Sequence, residues 1–273
     1  MYLPPTLSHP VIAIGDLHGQ REELDRLVTR LKTLPEWRNC ALVFLGDFVD
    51  RGDDVPGTID RVLDLLSRSP GGSAVMGNHD LALVRAARLD EGPPSDYWVK
   101  SYRDRYDHDA TFLAYLNRRP DRREGHWEKD LEKLRDTIPA RHRQFLGSLP
   151  WVVESAGHLF LHCGLSPELE AAHSEQVAAM HRKEWDRSTL KPKAGTMTDL
   201  LWQPEYPVWL GADPKLSKAP RPYPGKIQVT GHVQVGEPDV TPQRIRLDTS
   251  GGYGRLTACL LRPGDAAPEF FTS

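Results

Sequence analysis

Five short loops of this sequence carry the residue types that bind metal ions. Each loop follows a run of apolar residues, and its polar side chains are carboxylates, an amide or imidazoles. The residues concerned are Asp16, His18, Asp47, Asn78, His162 and His232. Oxygen and imidazole ligands without a thiolate favour borderline divalent ions such as manganese, iron or zinc over calcium or magnesium. There are more candidate ligands than one ion uses, so we expect two ions.

The first three of these loops are evenly spaced along the chain. Asp16, Asp47 and Asn78 follow one another at equal intervals of roughly 30 residues, which is about the length of one strand and one helix. Loops separated by such a unit lie side by side at the carboxyl edge of a parallel sheet, where ligands bind in open α/β folds. The spacing therefore predicts that these side chains converge.

Hydrophobic patterns around the loops predict alternating strands and helices. The apolar runs at residues 11–14, 41–45 and 73–76 each end beside a glycine, as buried strands that lead into functional loops do. Between them, residues 24–34 and 59–66 have apolar side chains at helical spacing. The order β-α-β-α-β implies right-handed crossovers and a parallel central sheet.

The rest of the chain continues this α/β pattern around one insertion. Residues 85–150 are rich in Arg, Asp and Glu, and their apolar positions predict two or three amphipathic helices. A proline-rich stretch at residues 204–224 is expected to be an ordered surface loop. We expect a single domain over residues 1–273 that contains this helical insert. Further strands are expected at 158–163, 227–230, 244–247 and 256–261.

Composition and charge argue against several classes of protein. The formal net charge of −3 does not suit a protein that covers nucleic acid, which usually needs a basic face. No apolar run approaches the roughly 20 residues of a membrane span, and the first residues do not resemble a secretion signal. The three cysteines form no CxxC pair and are expected to be reduced thiols. A cytoplasmic protein without nucleic-acid or membrane partners is expected.

The loop motifs resemble those of the calcineurin-like metallophosphoesterases. Within that superfamily, they are most similar to phosphoprotein phosphatases related to bacterial and phage serine/threonine phosphatases. The stretch from Leu247 to Ala258 also resembles the family's closing strand and hairpin. The resemblance implies an α/β fold with a metallophosphoesterase-type β-sandwich core, flanked by helices and carrying a helical insert. The matching motifs are GDLHG at 15–19, GDFVDRG at 46–52, GNHD at 77–80, HCGL at 162–165 and GH at 231–232.

The resemblance also implies a role for each motif residue. His79 would protonate the leaving oxygen, Asp50 would orient His79, and Arg51 would hold the phosphate by a bidentate fork. A water made acidic by two cations, with manganese favoured and iron or zinc as alternatives, would attack phosphorus directly. One ion would be bound by Asp16, His18 and Asp47, and the other by Asp47, Asn78, His162 and His232, with Asp47 bridging and Asn78 also facing the substrate.

One arginine of the family pattern is missing from this sequence. Many bacterial relatives have the segment Leu-Leu-Trp-x-Arg, in which the arginine is a second phosphate clamp. Here residues 200–202 read Leu-Leu-Trp but are followed by Gln203 and Pro204. Arg221 and Arg182 are the candidate replacements, and Arg221 is favoured because its loop must return to the edge of the site.

The expected substrate is a phosphorylated protein or a small phosphoester. The pair Asp80 and Leu81 resembles diadenosine tetraphosphate hydrolases of the same superfamily, which are the alternative. The combination of Asp50 and Arg51 is usually absent from those enzymes and favours phosphomonoesters.

Two other classes of protein fit the sequence less well. His162 and Cys163 begin like the His-Cys-x5-Arg loop of cysteine phosphatases, but position 169, where the arginine would lie, is a leucine. A binding module that had lost catalysis would be expected to lack a ligand or the acid His79, and none is missing. A metal-dependent hydrolase is therefore the favoured interpretation.

Overall fold

Ten strands and eight α-helices make up the described part of the chain. The computed structural model describes residues 10–90, 92, 94–185, 190–193, 205–211, 221–264 and 267–273. The strands are β1 (Val11–Ile14), β2 (Ala41–Phe44), β3 (Ser73–Ala74), β4 (Val152–Glu154), β5 (His158–Leu161), β6 (Ile227–Thr230), β7 (Asp239–Val240), β8 (Arg244–Arg246), β9 (Thr257–Leu261) and β10 (Glu269–Thr272). The helices are α1 (Arg21–Leu31), α2 (Val55–Arg68), α3 (Asn78–Ala86), α4 (Asp96–Arg105), α5 (Asp109–Leu116), α6 (Trp127–Thr137), α7 (Ala140–Ser148) and α8 (His173–Arg182).

The strands form two mixed sheets of five strands each. The first has the order β10-β9-β1-β2-β3, and the second has the order β4-β5-β6-β8-β7. The predicted parallel arrangement of β1, β2 and β3 is confirmed, whereas β9 pairs antiparallel with both β1 and β10. In the second sheet β5, β6 and β8 are parallel and the two edge strands are antiparallel. The prediction of one parallel central sheet was therefore incomplete, because the later strands build a second sheet.

Alternate residues of β1 point into two different cores. Ala13 lies in a buried cluster with Phe160 of β5 and Val229 of β6, which is the layer between the two sheets. Ile12 lies in the other buried cluster, together with Leu24 of α1. Because successive strand side chains face opposite sides of a sheet, this alternation produces a sandwich covered by helices. The predicted fold class is confirmed.

The helical insert contains four short helices, α4 to α7, instead of the predicted two or three. The reason is local: Asn117 ends α5 in the left-handed conformation, and Pro139 immediately precedes α7. Both residues interrupt what the charge pattern alone suggests to be continuous helix. The insert is held together by the fully buried Trp127, whose ring packs against Tyr102 and Phe112.

Only part of the predicted proline-rich loop can be placed. Residues 205–211 include a short 3-10 helix, Val208–Leu210, and residues 221–224 lead into β6. Residues 204 and 212–220 lie outside the described residues. Among the helices that the structure describes, none is long and apolar enough to cross a membrane.

Candidate metal and phosphate site

The predicted loops meet at the carboxyl ends of the parallel strands, and their backbone is tightly bent there. Five residues with side chains in this region have left-handed φ angles, between 43° and 69°. Such a conformation is uncommon for residues other than glycine and costs free energy, roughly 1–3 kcal/mol each. The surrounding structure must therefore stabilise these bends. The residues are His18, Asp47, Asp50, Arg51 and His232.

Asp80 stabilises two of the loops through hydrogen bonds to their backbone. Its carboxylate accepts hydrogen bonds from the backbone N–H groups of Asp47 and Phe48, both at 2.8 Å, and of Gly77 at 3.0 Å. The side chain is fully buried. Burial, and next the charge of Asp47, raise the pKa of Asp80 to about 7. Asp80 thus joins the loop after β2 to the loop after β3.

Asp47 lies at the centre of the cluster. Its Oδ2 is 3.4 Å from Nε2 of His18 and 3.4 Å from Nε2 of His162, while Oδ1 accepts from the backbone N–H of His79 at 2.9 Å. Burial alone would raise the pKa of Asp47, but the neighbouring histidines, His162 first among them, hold it well below its usual value. An ionised carboxylate between two sets of imidazoles is the arrangement expected of a bridging ligand.

Backbone carbonyls orient two of the imidazoles toward Asp47. Nδ1 of His18 lies 2.9 Å from the carbonyl oxygen of Val49, and Nδ1 of His162 lies 2.7 Å from that of Leu45. A carbonyl oxygen can only accept, so Nδ1 carries the hydrogen in both rings and Nε2 faces Asp47. Metal-binding histidines are commonly oriented in this way. Burial lowers the pKa of His18 to about 3, so its ring is neutral.

The amide oxygen of Asn78 faces two further ring nitrogens. Oδ1 lies 3.0 Å from Nε2 of His162 and 2.9 Å from Nδ1 of His232. Burial alone would lower the pKa of His162, but the charges of Asp47 and Asp16 raise it to about 10. His162 therefore retains a proton, although the atoms around it are electron-pair donors. A metal cation satisfies the same donors, and this donor set fits one.

Asp16 completes the cluster and adds negative charge. Its carboxylate accepts from the backbone N–H of His232 at 3.0 and 3.2 Å. Burial, and next the nearby charge of Asp248, raise the pKa of Asp16 well above its usual value. Buried carboxylates that raise one another's pKa need a cation to be ionised together.

Two groups of side chains in the described part of the chain could each hold a metal ion. Ligand atoms within 4.8 Å of one another form two groups of buried side chains. One group is His18, Asp47 and His79, and the other is Asp16, Asp47 and His162. Asp47 belongs to both groups and Asp16 is grouped with His162. The division of the ligands between two ions stays a prediction.

His79 and Asp50 form a buried pair beside the cluster. Nδ1 of His79 lies 2.7 Å from Oδ2 of Asp50, and Asp50 is fully buried. Burial alone would lower the pKa of His79, but the charges of Asp47 and Asp50 raise it. The carboxylate of Asp50 also accepts hydrogen bonds from the hydroxyls of Tyr102 at 2.8 Å and Thr111 at 2.6 Å.

Arg51 lies between the ring of His18 and the pair of His79 and Asp50. One terminal nitrogen is 3.1 Å from Nε2 of His18 and donates to the carbonyl oxygen of Gly251 at 3.1 Å. The other terminal nitrogen is 3.2 Å from Nε2 of His79. The Nε atom lies 3.5 Å from the carboxylate of Asp107. The two terminal nitrogens of Arg51 therefore contact one histidine each, His18 and His79.

Arg182 and Arg221 have partners elsewhere. Nε of Arg182 pairs with Glu184 at 2.6 Å on the surface. The guanidinium of Arg221 donates to the carbonyl oxygens of Leu169 and Ala171. Within the described part of the chain, neither guanidinium contacts a residue of the cluster. The segment 200–204, which suggested the search for a second clamp, lies outside the described residues, and the second clamp stays a prediction.

Sequence reasoning missed the contribution of the insert to this site. Tyr102 and Thr111 contact Asp50, the ring of Tyr106 packs edge-on against His79 with 4.8 Å between centroids, and Asp107 contacts Arg51. The spacing of Tyr102 and Tyr106, one helical turn apart, is the one sequence signal for this face. All four residues lie in the segment 102–111, which forms a wall of the site.

Comparison with known proteins identifies the family. The model of the calcineurin-like phosphoesterase family matches residues 9–235, which include all five loops. The chain therefore belongs to the calcineurin-like phosphoesterase family, and the resemblance found from the motifs is confirmed.

Two similar proteins have names that refer to different activities. A symmetrical bis(5'-nucleosyl)-tetraphosphatase of Ralstonia nicotianae is 42% identical over 80 residues, which is 29% of this chain and 26% of that protein. The serine/threonine-protein phosphatase 6 catalytic subunit of Caenorhabditis elegans is 26% identical over 197 residues, which is 72% of this chain and 46% of that protein. The chain thus spans less than half the length of these curated relatives.

A solved structure shares the fold. The cold-active protein-tyrosine phosphatase of a psychrophilic Shewanella species superposes with a TM-score of 0.53 at 19% identity, and the match covers 99% of this chain and 83% of that one.

Proposed function

We propose that this protein is a metal-dependent phosphomonoester hydrolase, and most specifically a phosphoprotein phosphatase that acts on phosphoserine, phosphothreonine or phosphotyrosine. The observation that carries the proposal is the convergence of three parts in one buried site: the donors around Asp47, the pair of His79 and Asp50, and the fork of Arg51. These parts bind cations, donate a proton and hold a phosphate. Membership of a phosphoesterase family supports the same reaction class.

The donors around Asp47 fit two divalent ions. Neutral imidazoles, carboxylates and one amide oxygen suit manganese, with iron or zinc as alternatives. When bound, the ions would acidify a water and thereby supply the nucleophile for direct attack on phosphorus, and they would offset the charge of the phosphate. The residues that would hold them are Asp16, His18, Asp47, Asn78, His162 and His232, and Asn78 would also face the substrate.

Arg51 and His79 would act on the phosphate itself. The terminal nitrogens of Arg51 point toward His18 and His79, so a phosphate oxygen can replace these contacts and accept both hydrogen bonds. Because Nδ1 of His79 is held by Asp50, Nε2 is the nitrogen that can carry a transferable proton once a phosphate oxygen replaces its contact with Arg51. The raised pKa of His79 favours the protonated ring, which can donate to the departing oxygen. Direct attack by water leaves no covalent phosphoenzyme.

A symmetrical dinucleoside tetraphosphate hydrolase is the second candidate, because a protein with that name is 42% identical in sequence over 80 residues of this chain. The sequence signal for it was the pair Asp80 and Leu81. In the structure Asp80 is tied to three backbone N–H groups behind the loops, and Leu81 is buried. Neither side chain faces Arg51, so this pair supports the fold of the loops and does not favour a polyphosphate.

One parallel assay tests the proposal. The protein would be stripped of metal with a chelator, reconstituted with manganese and given phosphoserine peptide, phosphotyrosine peptide and diadenosine tetraphosphate. We expect turnover of a phosphopeptide that needs the metal, and loss of that turnover in Asp47→Asn. Asp25→Asn, which alters a partly exposed ion pair with Arg21, is the matched control and should remain active. Faster turnover of the tetraphosphate than of either peptide would replace the proposed function by the second candidate.

A further inference from the structure

We propose that Tyr102 and Thr111 of the helical insert are positioning residues for the proton donor His79 and act on it through Asp50. This inference rests on the proposed function, because it assigns the residues that prepare His79 for protonating the leaving group. Tyr102 belongs to α4 and Thr111 to α5, so two different helices converge on one carboxylate.

The two oxygens of Asp50 have separate partners. Oδ1 accepts from the hydroxyls of both Tyr102 and Thr111, at 2.8 and 2.6 Å, whereas Oδ2 lies 2.7 Å from Nδ1 of His79. A carboxylate whose first oxygen is held by two donors cannot rotate freely. The second oxygen is therefore directed at the imidazole, which fixes the plane of the ring and the nitrogen that carries the transferable proton.

Thr111 also holds the backbone of Asp50. Its Oγ1 accepts from the backbone N–H of Asp50 at 3.0 Å while its hydroxyl hydrogen goes to Oδ1 of the same residue. Asp50 has a φ of 69°, a strained conformation that needs such support. Thr111 thus restrains both the backbone conformation and the side-chain orientation of Asp50.

The chemistry of the two hydroxyls suits this role. Burial, and next the charge of Asp50, raise the pKa of Tyr102 well above its usual value, so its hydroxyl keeps the proton and donates it. Asp50, Thr111 and Tyr102 are fully buried, so water does not substitute for a missing donor without a rearrangement. Both hydroxyls donate to Asp50, which belongs to neither candidate ligand group, so replacing them changes the support of His79 without removing a candidate ligand.

Steady-state kinetics with two leaving groups test the inference. In Tyr102→Phe and Thr111→Val, kcat on a phosphoserine peptide should fall about tenfold with KM nearly unchanged, because a misaligned acid protonates an alkoxide poorly. With p-nitrophenyl phosphate, whose leaving group needs little protonation, the loss should be within about twofold. Thr111→Ser, which keeps the hydroxyl, should recover most of the rate.

Tyr115→Phe is the matched control. It removes a tyrosine hydroxyl of the same insert that contacts Nδ1 of His142 at 2.8 Å, away from Asp50. Its kcat and melting temperature report the purely structural cost of such a change. Equal losses on both substrates, a loss no larger than in Tyr115→Phe, or a wild-type rate in both variants would overturn the inference.

Proton NMR of the zinc-loaded protein gives a readout that does not need turnover. The hydrogen between His79 and Asp50 should produce a downfield resonance that is absent in His79→Gln, moves or broadens in Tyr102→Phe and Thr111→Val, and is unchanged in Tyr115→Phe. An unchanged resonance in the first two variants also overturns the inference. If the resonance responds but no phosphomonoester is hydrolysed, the proposed function is wrong while the positioning stands.

Discussion

Nε2 of His162 lies 3.0 Å from the amide oxygen of Asn78, although the orientation of both side chains makes each atom an electron-pair donor. Such a contact needs a positive charge between the two atoms. In the metal-free protein a proton supplies it, since the charge of Asp47 and Asp16 raises the pKa of His162 to about 10 against the effect of burial. A divalent ion that binds here must displace this proton, so metal affinity should fall as the pH is lowered.

The role of His79 predicts a dependence on the leaving group. His79→Asn should lower kcat on a phosphoserine peptide by about 10² to 10⁴, because a positioned proton donor is lost. The decrease should be much smaller for an aryl phosphate with an acidic phenol. Steady-state kinetics with both substrates measure the difference, and equal decreases would show that His79 acts as a ligand or a structural group instead.

The position of Arg51 predicts that it is the principal phosphate clamp. Arg51→Ala should lower kcat/KM by about 10² or more, as removal of a preorganised donor usually does. Arg182→Ala should be nearly silent, because that side chain is exposed and, among the residues that the structure describes, pairs with its neighbour Glu184.

Arg221 tests whether a second clamp exists. Since its guanidinium donates to the carbonyl oxygens of Leu169 and Ala171, Arg221→Ala should lower the melting temperature. A loss of kcat/KM as large as that of Arg51→Ala, in a variant that melts normally, would instead make Arg221 the second clamp.

Cys163 provides the test against a cysteine nucleophile. The residue is buried and follows the candidate ligand His162, so Cys163→Ser should keep most of the activity. Activity that disappears in this variant, while metal content and melting temperature stay normal, would favour a covalent phosphocysteine mechanism over attack by water.

The burial of His158, which lies away from the site, predicts that the stability of the folded protein depends on pH. Burial, and next the charge of Lys226, lower the pKa of His158 to about 4, whereas an unfolded histidine has a pKa of about 6.5. The unfolded state therefore binds more protons between these values, and stability should be lost as the pH falls from about 6.5 to about 4.

The corresponding free energy is at most about 3 kcal/mol. Urea unfolding of wild type and His158→Gln at pH 7 and pH 5 measures the part of this loss that occurs above pH 5. The pH-dependent loss should be smaller in His158→Gln, and an equal loss in both proteins would assign the effect to other groups.

The positions of the ligand loops were predictable from local pattern. Each ligand directly follows an apolar strand, and strands of a β-α-β unit place their carboxyl ends together. Asp16, Asp47 and Asn78 could therefore be placed at one edge before any contact was known. The β-sandwich was expected only from the resemblance to a known family, because the strand pattern alone indicated one parallel sheet. The antiparallel neighbour of β1 was not predicted, because its pairing with β9 joins residues about 245 positions apart, such as Ile14 and Ala258.

The partners of Asp50 were not predictable in this way. Tyr102 and Thr111 are 52 and 61 residues away from Asp50 along the chain. They reach it because α4 packs against α3 and α5 packs against α2. Amphipathic periodicity says which face of a helix is buried, but it does not say what that face contacts. For the same reason, the charged composition of the insert did not indicate that its residues contact Asp50, Arg51 and His79.

The central claim is that Asp47 bridges two metal ions. The most direct measurement is anomalous X-ray scattering from crystals grown with manganese, collected near the manganese absorption edge. The account predicts two anomalous peaks on either side of the Asp47 carboxylate, roughly 3.5–4 Å apart, with Asn78, His162 and His232 around one of them. A single peak, or peaks that do not contact Asp47, in crystals of active protein would contradict it.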